Sequence, residues 1–251
     1  MRLAIDTATD IASVAIGPPG GGRYPDASRS MHGARQHAAS LLTLIQQVLA
    51  DARATLHDVT EIVVGDGPGS FTGLRIGWAA AKGLAHEREL PLVAVPSLLG
   101  AAHAASALER ESRALAACFD ALRGQVFAAV YAIHADRVEG RVAGQGRVET
   151  LVAPGLFTLA ELARVSPVRP ALAVGDGAER YRAEVESWTG KPPVPLGAVP
   201  PIARSLLWLA DQEAGRRPLD TALAEPVYGR SAEAQVKWEA RYGRPLPNSS
   251  R

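Results

Sequence analysis

The stretch from residue 61 to residue 95 constrains the fold more than any other part of the chain. An apolar run over residues 62–64 leads into a loop of small and helix-breaking residues, and a helical pattern follows over residues 73–87. Pro91 then restarts the chain as a second apolar run over residues 92–95. The order strand, helix, strand predicts a βαβ unit with parallel strands and a right-handed crossover.

The loop inside this unit has two possible roles. Gly67 and Gly69 allow positive φ and close approach of a neighbour, and Ser70 or Thr72 can accept from the free N–H groups at the helix start. Such a helix start can hold an anion, so Gly67, Gly69 and Ser70 are candidates for a phosphate loop. The spacing matches neither the P-loop nor the dinucleotide fingerprint. A tight turn whose glycines serve packing is the alternative.

Two stretches of the chain share a strand–turn–strand pattern with an aspartate at the turn. The first covers residues 3–16 with Asp6 and Thr7, and the second covers residues 113–133 with Asp120. Each aspartate can cap its turn locally, or it can orient a metal-bound phosphate. The repetition indicates an internal duplication. It predicts two related lobes, residues 1–104 and a reduced lobe of residues 105–229, followed by a basic, flexible tail of residues 230–251.

Two predicted helices are candidates for contact with a partner. The helix over residues 32–51 carries an apolar stripe that includes Leu41, Leu42 and Ile45. The helix over residues 74–86 is narrow because glycine and alanine, such as Gly77 and Ala81, recur along it. An apolar helix beside a narrow one can offer a surface to another helix pair. Packing against the chain's own sheet is the competing interpretation.

Composition excludes several classes of protein. The chain has 251 residues, of which 47% are apolar, and a net charge of +1, so it can bury a core and has no general attraction for nucleic acid. Cys118 is the only cysteine, which excludes an intrachain disulfide and fits a reducing compartment. No signal peptide and no apolar run of about 20 residues is present. A cytoplasmic protein without a membrane span is expected.

No reactive constellation is visible in the sequence. None of the six histidines is paired at a spacing of i, i+4, so no helix displays two imidazoles for a metal. No G-x-S-x-G motif occurs, and Cys118 lies in an apolar run. Asp6 and Asp120 therefore remain the acidic groups that a nucleotide and its metal would use.

Several segments together resemble the TsaB (YeaZ) family of the actin-like, sugar-kinase-like and Hsp70-like ATPase superfamily. The most specific are LAIDTATDIASVAIG, GDGPGSFTGLRIG, AKGLA and ELPLVAVPSL, and FDALRGQVFAAVY and AEPVYGRS are similar to later segments. The resemblance implies an α/β fold of the actin-like/ribonuclease H-like class. Two related lobes, each with a mixed central sheet flanked by helices, are expected.

The resemblance also implies a function. TsaB-like proteins are non-catalytic scaffolds and activators in the complex that forms the threonylcarbamoyl group on adenosine next to the anticodon, in tRNAs reading A-starting codons. They bind the catalytic subunit TsaD as a heterodimer, the ATPase TsaE joins in a ternary complex, and alone they form homodimers. Involvement with tRNA is then indirect, through the complex.

The first two helices would carry the partner contacts in this family. The corresponding residues of this chain are Gln36, Leu41, Leu42, Ile45, Leu74, Gly77 and Ala81. TsaD relatives carry a His-x-x-x-His pair after the second strand of the βαβ unit, where this chain has Ser97 and Ala101. Neither side chain replaces an imidazole ligand, so no metal cofactor and no catalysis are expected.

Two other functions stay open at this stage. A small-molecule kinase or ATPase of the same superfamily would use Asp6, and perhaps Asp120, and would bind nucleotide at Asp6, Thr7, Gly67, Gly69 and Ser70. A metallo-hydrolase would need ligands that the sequence does not supply.

Overall fold

The computed structural model describes residues 1–19, 26–33, 37–109, 113–138, 141–212, 215–220 and 223–230, together with Arg241. Most of the predicted tail, residues 230–251, and the candidate interface residue Gln36 lie outside these ranges.

The first sheet contains the predicted βαβ unit. Its strands from the N-terminal half are β1 (Arg2–Asp6), β2 (Ile11–Gly17), β3 (Ala27–His32), β4 (Glu61–Gly65) and β5 (Leu92–Val95). β2 pairs antiparallel with both β1 and β3, whereas β4 pairs parallel with both β1 and β5. The strand order is therefore β3-β2-β1-β4-β5, with β1 and β4 in the centre.

Helices cover both faces of this sheet. On one face α1 (His37–Asp51) and α2 (Phe71–Glu87) bury Ile45 and Trp78 against Leu3 and Ile5. On the other face α3 (Ser97–Ala105) packs over Ala4. The alternation of Leu3, Ala4 and Ile5 between two apolar cores follows from the period of two residues in a β-strand. The carboxyl ends of β1 and β4 meet between these layers.

The second sheet repeats the plan of the first. Its strands are β6 (Arg113–Asp120), β7 (Val126–Val138), β8 (Arg141–Phe157) and β9 (Leu172–Val174), in the order β8-β7-β6-β9. β7 pairs antiparallel with β6 and β8, and β9 pairs parallel with β6. This is the arrangement of β3-β2-β1-β4. Three short helices, α4 (Leu159–Val165), α5 (Asp176–Arg180) and α6 (Arg182–Thr189), follow β8 and β9.

The end of the chain returns to the first sheet. Helix α7 (Ile202–Leu209) packs against α3 and the first sheet, and the backbone N–H of Ala203 donates to the Ser13 hydroxyl at 3.0 Å. Strand β10 (Arg217–Pro218) pairs antiparallel with β5. The predicted second lobe, residues 105–229, does not take account of this return to the first sheet. The boundaries of the two lobes stay a prediction.

Buried ion pairs hold the returning segment in place. Arg2, at the start of β1, pairs with Glu61 on β4 and with Asp211, whose Oδ1 lies 2.5 Å from Arg2 Nη1. Arg216 reaches the other oxygen of Glu61 at 3.0 Å. Since Arg2 and Glu61 are both buried, removal of one partner would leave an uncompensated buried charge. The amino ends of β1 and β4 therefore fix the position of the residues after α7.

Candidate functional site

Asp6 is the centre of the hydrogen bonds at the carboxyl end of β1. The residue is fully buried. Its Oδ1 accepts the backbone N–H of Ala8 at 3.2 Å, and its Oδ2 accepts the hydroxyl of Ser97 at 2.6 Å. The Ser97 oxygen in turn accepts the N–H of Gly67 at 3.2 Å. Asp6 therefore caps its own turn and joins the glycine loop to the first turn of α3.

A second carboxylate, Asp66, lies beside Asp6. It follows β4 and contacts the guanidinium of Arg217 on β10 at 2.9 Å. Burial raises the pKa of Asp6 to about 6, although its hydrogen bonds lower it. Burial also raises the pKa of Asp66 to about 6, with Arg217 acting downward and the charge of Asp6 acting upward. A negative charge on either carboxylate therefore makes ionisation of the other less favourable.

The second sheet has an equivalent pair of aspartates. Asp120 Oδ1 accepts the N–H of Leu122 at 2.9 Å, the same turn-capping contact that Asp6 makes, and its Oδ2 lies 3.3 Å from Arg180. Asp176 Oδ1 accepts the N–H groups of Asp120 at 3.1 Å and Gly177 at 3.0 Å. All four carboxylates are thus bonded within the chain.

Sequence reasoning misses Asp66 and Asp176, although a signal for them exists. The tetrapeptide V-G-D-G occurs at residues 64–67 and again at residues 174–177, each time directly after the strand that pairs parallel with the first strand of its sheet. A search for repeated turns, rather than for repeated hairpins, would have found both.

The glycines of the loop are in contact with the rest of the chain. A Cβ at Gly69 would lie 2.1 Å from the carbonyl oxygen of Ala8, and one at Gly67 would lie 2.5 Å from that of Val227. Thr7 donates its hydroxyl to the Gly73 carbonyl at 2.7 Å. The backbone of Ala8 and that of Val227 therefore pack directly against these two glycines. This geometry favours the packing interpretation over a phosphate loop at Thr7, Gly67 and Gly69.

Ser70 acts as the N-cap of α2. Its hydroxyl oxygen accepts the N–H of Gly73 at 3.2 Å, and its own N–H donates to Ala8 at 2.7 Å. We expect Ser70→Ala to lower the free energy of unfolding by about 1 kcal/mol and Ser70→Thr to cost less. Urea denaturation without phosphate or nucleotide measures both. Equal stability of Ser70→Ala and wild type would contradict the capping role.

The sequence resemblance implies a pair of metal-ligating histidines in related transferases at the positions of residues 97 and 101, and the residues present here do not fit a metal ion. Ser97 and Ala101 lie on successive turns of α3 and are fully buried. The Ser97 hydroxyl is bonded to Asp6, and Ala101 has no donor atom. In the part of the chain that the structure describes, no group of three or more His, Cys, Asp or Glu side chains is placed to hold a metal.

Most of the predicted interface side chains lie inside the chain's own cores. Within α1, Leu41 and Ile45 pack on the sheet, because the apolar stripe of an amphipathic helix covers its own sheet first. On α2 the same holds for Leu74, Gly77 and Ala81. The side chains of Leu41, Ile45, Leu74 and Ala81 are buried within the chain, and Gly77 has none. Leu42 is the exception, with 56% of its surface exposed.

The outward face of α2 contains a glycine without a packing role. A Cβ added at Gly77 would lie 2.2 Å from the hydroxyl oxygen of Thr7, which explains that glycine. A Cβ added at Gly83 would meet nothing within 4 Å. Glycine in a helix costs about 1 kcal/mol relative to alanine, and the contacts within the chain do not offset that cost at Gly83. Gly83 and Ala79 leave a shallow, exposed face on α2.

The topology defines the class of protein. Two sheets share the order of their first four strands, with an aspartate at the end of the first strand and a glycine–aspartate–glycine turn after the fourth. This is the actin-like/ribonuclease H-like fold with two related, mixed sheets flanked by helices, and the expected fold class is confirmed.

Comparisons with known proteins give a matching family model and several named relatives. The family model described as TsaD, tRNA N6-adenosine threonylcarbamoyltransferase, matches residues 16–174. The chain is 30% identical over 208 residues to the tRNA threonylcarbamoyladenosine biosynthesis protein TsaB of Bacillus subtilis, a match that covers 81% of this chain and 84% of that protein. YeaZ from Pseudomonas aeruginosa has a structure that matches with a TM-score of 0.68 and 26% identity, covering 90% of this chain and 98% of that one.

The chain belongs to the TsaB (YeaZ) family, as the sequence motifs indicate. TsaB of Escherichia coli K12 is 39% identical over 132 residues, but this match covers 51% of the chain and only 54% of that protein. For TsaB of Haemophilus influenzae the match likewise covers about half of the relative's length, 51%. Among the residues described, no helix combines the length and the apolar character needed to cross a membrane.

Proposed function

We propose that this protein is a non-catalytic subunit in the biosynthesis of threonylcarbamoyladenosine in tRNA, and that it binds and supports a catalytic subunit of the TsaD type. The observation that carries the proposal is the pair of positions after β5. A transferase family model matches this region, where the sequence resemblance implies two metal-ligating histidines, yet this chain has Ser97 and Ala101, which are buried in α3. A chain without these ligands needs a partner that has them.

The hydrogen bonds of the aspartates support the same conclusion. Asp6 and Asp66 are held by Ser97 and Arg217, and Asp120 is held by Arg180. Each would have to give up an internal partner before it could orient a metal-bound phosphate. We therefore propose that the chain requires no nucleotide or metal cofactor of its own. Among the contacts of the residues that the structure describes, none favours the kinase or ATPase alternative.

The outward faces of α1 and α2 are the surface we propose for the partner. The two helices lie side by side over the same core. Leu42 supplies an exposed apolar side chain on α1, and Ala79 and Gly83 leave space on α2 for close approach of another helix. The same surface would form a homodimer when the partner is absent, and a TsaE-type ATPase would join the heterodimer. The proposal places the chain in the cytoplasm, together with the other subunits.

Light scattering during size-exclusion chromatography tests the proposal. The purified chain is run alone and mixed with the TsaD-type subunit of the same organism. We expect a 1:1 assembly that replaces the homodimer, because one surface serves both contacts. Leu42→Asp should weaken this assembly and keep the thermal stability of the free chain, since Leu42 is exposed.

Two results would contradict the proposed function. One is the absence of any assembly with the TsaD-type subunit, with or without nucleotide. The other is a normal content of threonylcarbamoyladenosine in cells depleted of this chain while the TsaD-type subunit is intact.

A further inference from the structure

An exposed stack of planar side chains lies at the start of α2. The ring of Phe71, 45% exposed, lies with its centroid 4.8 Å from that of Tyr228, at an interplanar angle of 36°. The guanidinium carbon of Arg75, one helical turn further, lies 5.4 Å from the Phe71 centroid. We call Arg75, Phe71 and Tyr228 the aromatic ladder. Arg75 is its exposed end and Tyr228 its half-buried end.

The segment that carries Tyr228 is fixed to the rest of the chain. The N–H of Val227 donates to the carbonyl of Asp66 at 2.7 Å. Arg230 Nη2 donates to Gln125 Oε1 at 2.6 Å. These contacts hold residues 227–230 against both the glycine loop and the β6–β7 turn. The ladder is therefore a preorganised surface, which lowers the entropic cost of binding.

The β6–β7 turn extends this surface. Leu122 and Arg123 have φ values of +61° and +54°, a left-handed conformation that non-glycine residues rarely adopt. Such values belong to the central residues of a tight hairpin turn, and the carboxylate of Asp120 caps this turn by accepting the N–H of Leu122. The turn places the exposed Arg123 next to Gln125, which holds Arg230. Basic groups thus occur on both sides of the ladder.

The chemistry of this surface fits unpaired nucleotides. Aromatic rings and arginine guanidinium planes are the groups on which unstacked bases stack, and arginines contact the phosphates. Residues 71–75, 120–125 and 223–230 carry three arginines, Arg75, Arg123 and Arg230, and two acidic residues, Asp120 and Glu225. The stacking groups favour an RNA ligand over an acidic face of a protein, which positive charge alone would also attract.

We propose that the aromatic ladder and the β6–β7 turn form a weak binding site for single-stranded RNA, which contacts unpaired tRNA nucleotides in the assembled complex. This inference rests on the proposed function, because the relatives' names supply tRNA as the substrate. Affinity is expected to be low, since a chain of net charge +1 offers few phosphate contacts.

Fluorescence anisotropy of the full chain with a labelled, mixed-sequence single-stranded RNA of about 12 nucleotides tests this site. We expect Phe71→Leu to weaken binding about tenfold without changing the dependence on salt, because it removes stacking and no charge. We expect Arg75→Gln to weaken binding and to lower the slope of log affinity against log salt by about one. A blunt duplex of the same sequence should bind less tightly than the single strand, because its bases are already stacked.

Two controls separate this site from general electrostatics and from the partner surface. Arg164→Gln removes one exposed positive charge on α4, which packs on the other face of the second sheet, and should leave RNA binding unchanged. Gly83 lies about 18 Å along α2 from Phe71, so Phe71→Leu and Arg75→Gln should keep binding to the TsaD-type subunit. Thermal unfolding verifies that each variant is folded.

Several results would overturn the inference. One is a wild-type chain that does not bind the single strand, and another is a Phe71→Leu variant that binds it as tightly as wild type. A third is a set of ladder variants that no longer bind the TsaD-type subunit but still bind RNA, which would make the surface a protein-docking site. Failure of the proposed function is distinct, because it appears as a missing assembly with the TsaD-type subunit irrespective of RNA binding.

Discussion

Replacing Gly83 by leucine is expected to leave the chain folded and to lower its affinity for the TsaD-type subunit by about a hundredfold. The substitution adds a side chain where a Cβ meets no atom within 4 Å. Leucine is also a better helix former than glycine by about 0.5–1 kcal/mol, so the thermal unfolding temperature should rise slightly. At an interface built on close approach of helices, the same side chain forces the partner away. Titration calorimetry measures the loss of affinity.

Gly83→Ala and Gly77→Ala are the matched variants for this experiment. Alanine at residue 83 should stabilise the free chain and reduce binding less than leucine does, since it adds a single carbon. Alanine at residue 77 should destabilise the chain, because its Cβ would lie 2.2 Å from the hydroxyl oxygen of Thr7. A Gly83→Leu variant that binds the partner as tightly as wild type would exclude the outward face of α2 as the interface.

The apolar stripe of α1 illustrates what the sequence can and cannot predict. Spacing places Leu41 and Ile45 on one side of α1, and they do share a side. Spacing does not say whether that side meets the chain's own sheet or a partner. Burial decides the question: Leu41 and Ile45 are buried, whereas Leu42, which the sequence assigns to the same stripe, is left at the surface. Gly77 and Gly83 are six residues apart and therefore lie on different faces of α2, and the position of Thr7, which is distant in sequence, shows that the face of Gly77 is the packed one.

The glycine loop shows the same limit for the candidate site. The sequence predicts the strand, the loop and the helix of residues 61–95, because these depend on neighbours along the chain. The contacts that determine the loop's role come from Ala8 and Val227, which are distant in sequence. The roles of Asp6 and Asp120 as turn caps were open for the same reason, since Ser97 and Arg180 also lie far along the chain.

The substitution Asp6→Asn is expected to have the second large effect, which is on the pH dependence of the chain's stability. Replacing Asp6 by asparagine should increase the free energy of unfolding, relative to wild type, as the pH rises from about 4 to about 7. Burial raises the pKa of Asp6 from 3.8 to about 6. In this range the unfolded chain releases the proton before the folded chain does. The wild type therefore loses stability as the pH increases. The variant does not have this loss, because the asparagine side chain stays neutral.

A shift of this size corresponds to about 3 kcal/mol when fully developed. Asp66 adds to the effect, because the charge of Asp6 raises its pKa and asparagine removes that repulsion. At low pH the protonated Asp6 and asparagine are both neutral. The difference that remains there reports only the altered hydrogen bonds to Ser97 and Ala8, and it serves as the internal reference for urea denaturation at each pH.

Asp51→Asn provides a control of opposite sign. The hydrogen bond from Arg29 lowers the pKa of the exposed Asp51, so the stability that Asp51 contributes is present at neutral pH and is lost on acidification. Its removal should therefore matter less as the pH falls. If the Asp6→Asn difference does not change with pH, the pKa of Asp6 is the same in the folded and the unfolded chain, and burial does not shift it. Asp6 and Ser97 would then not form a dry, internally bonded site. Their burial would no longer argue against a phosphate-binding role.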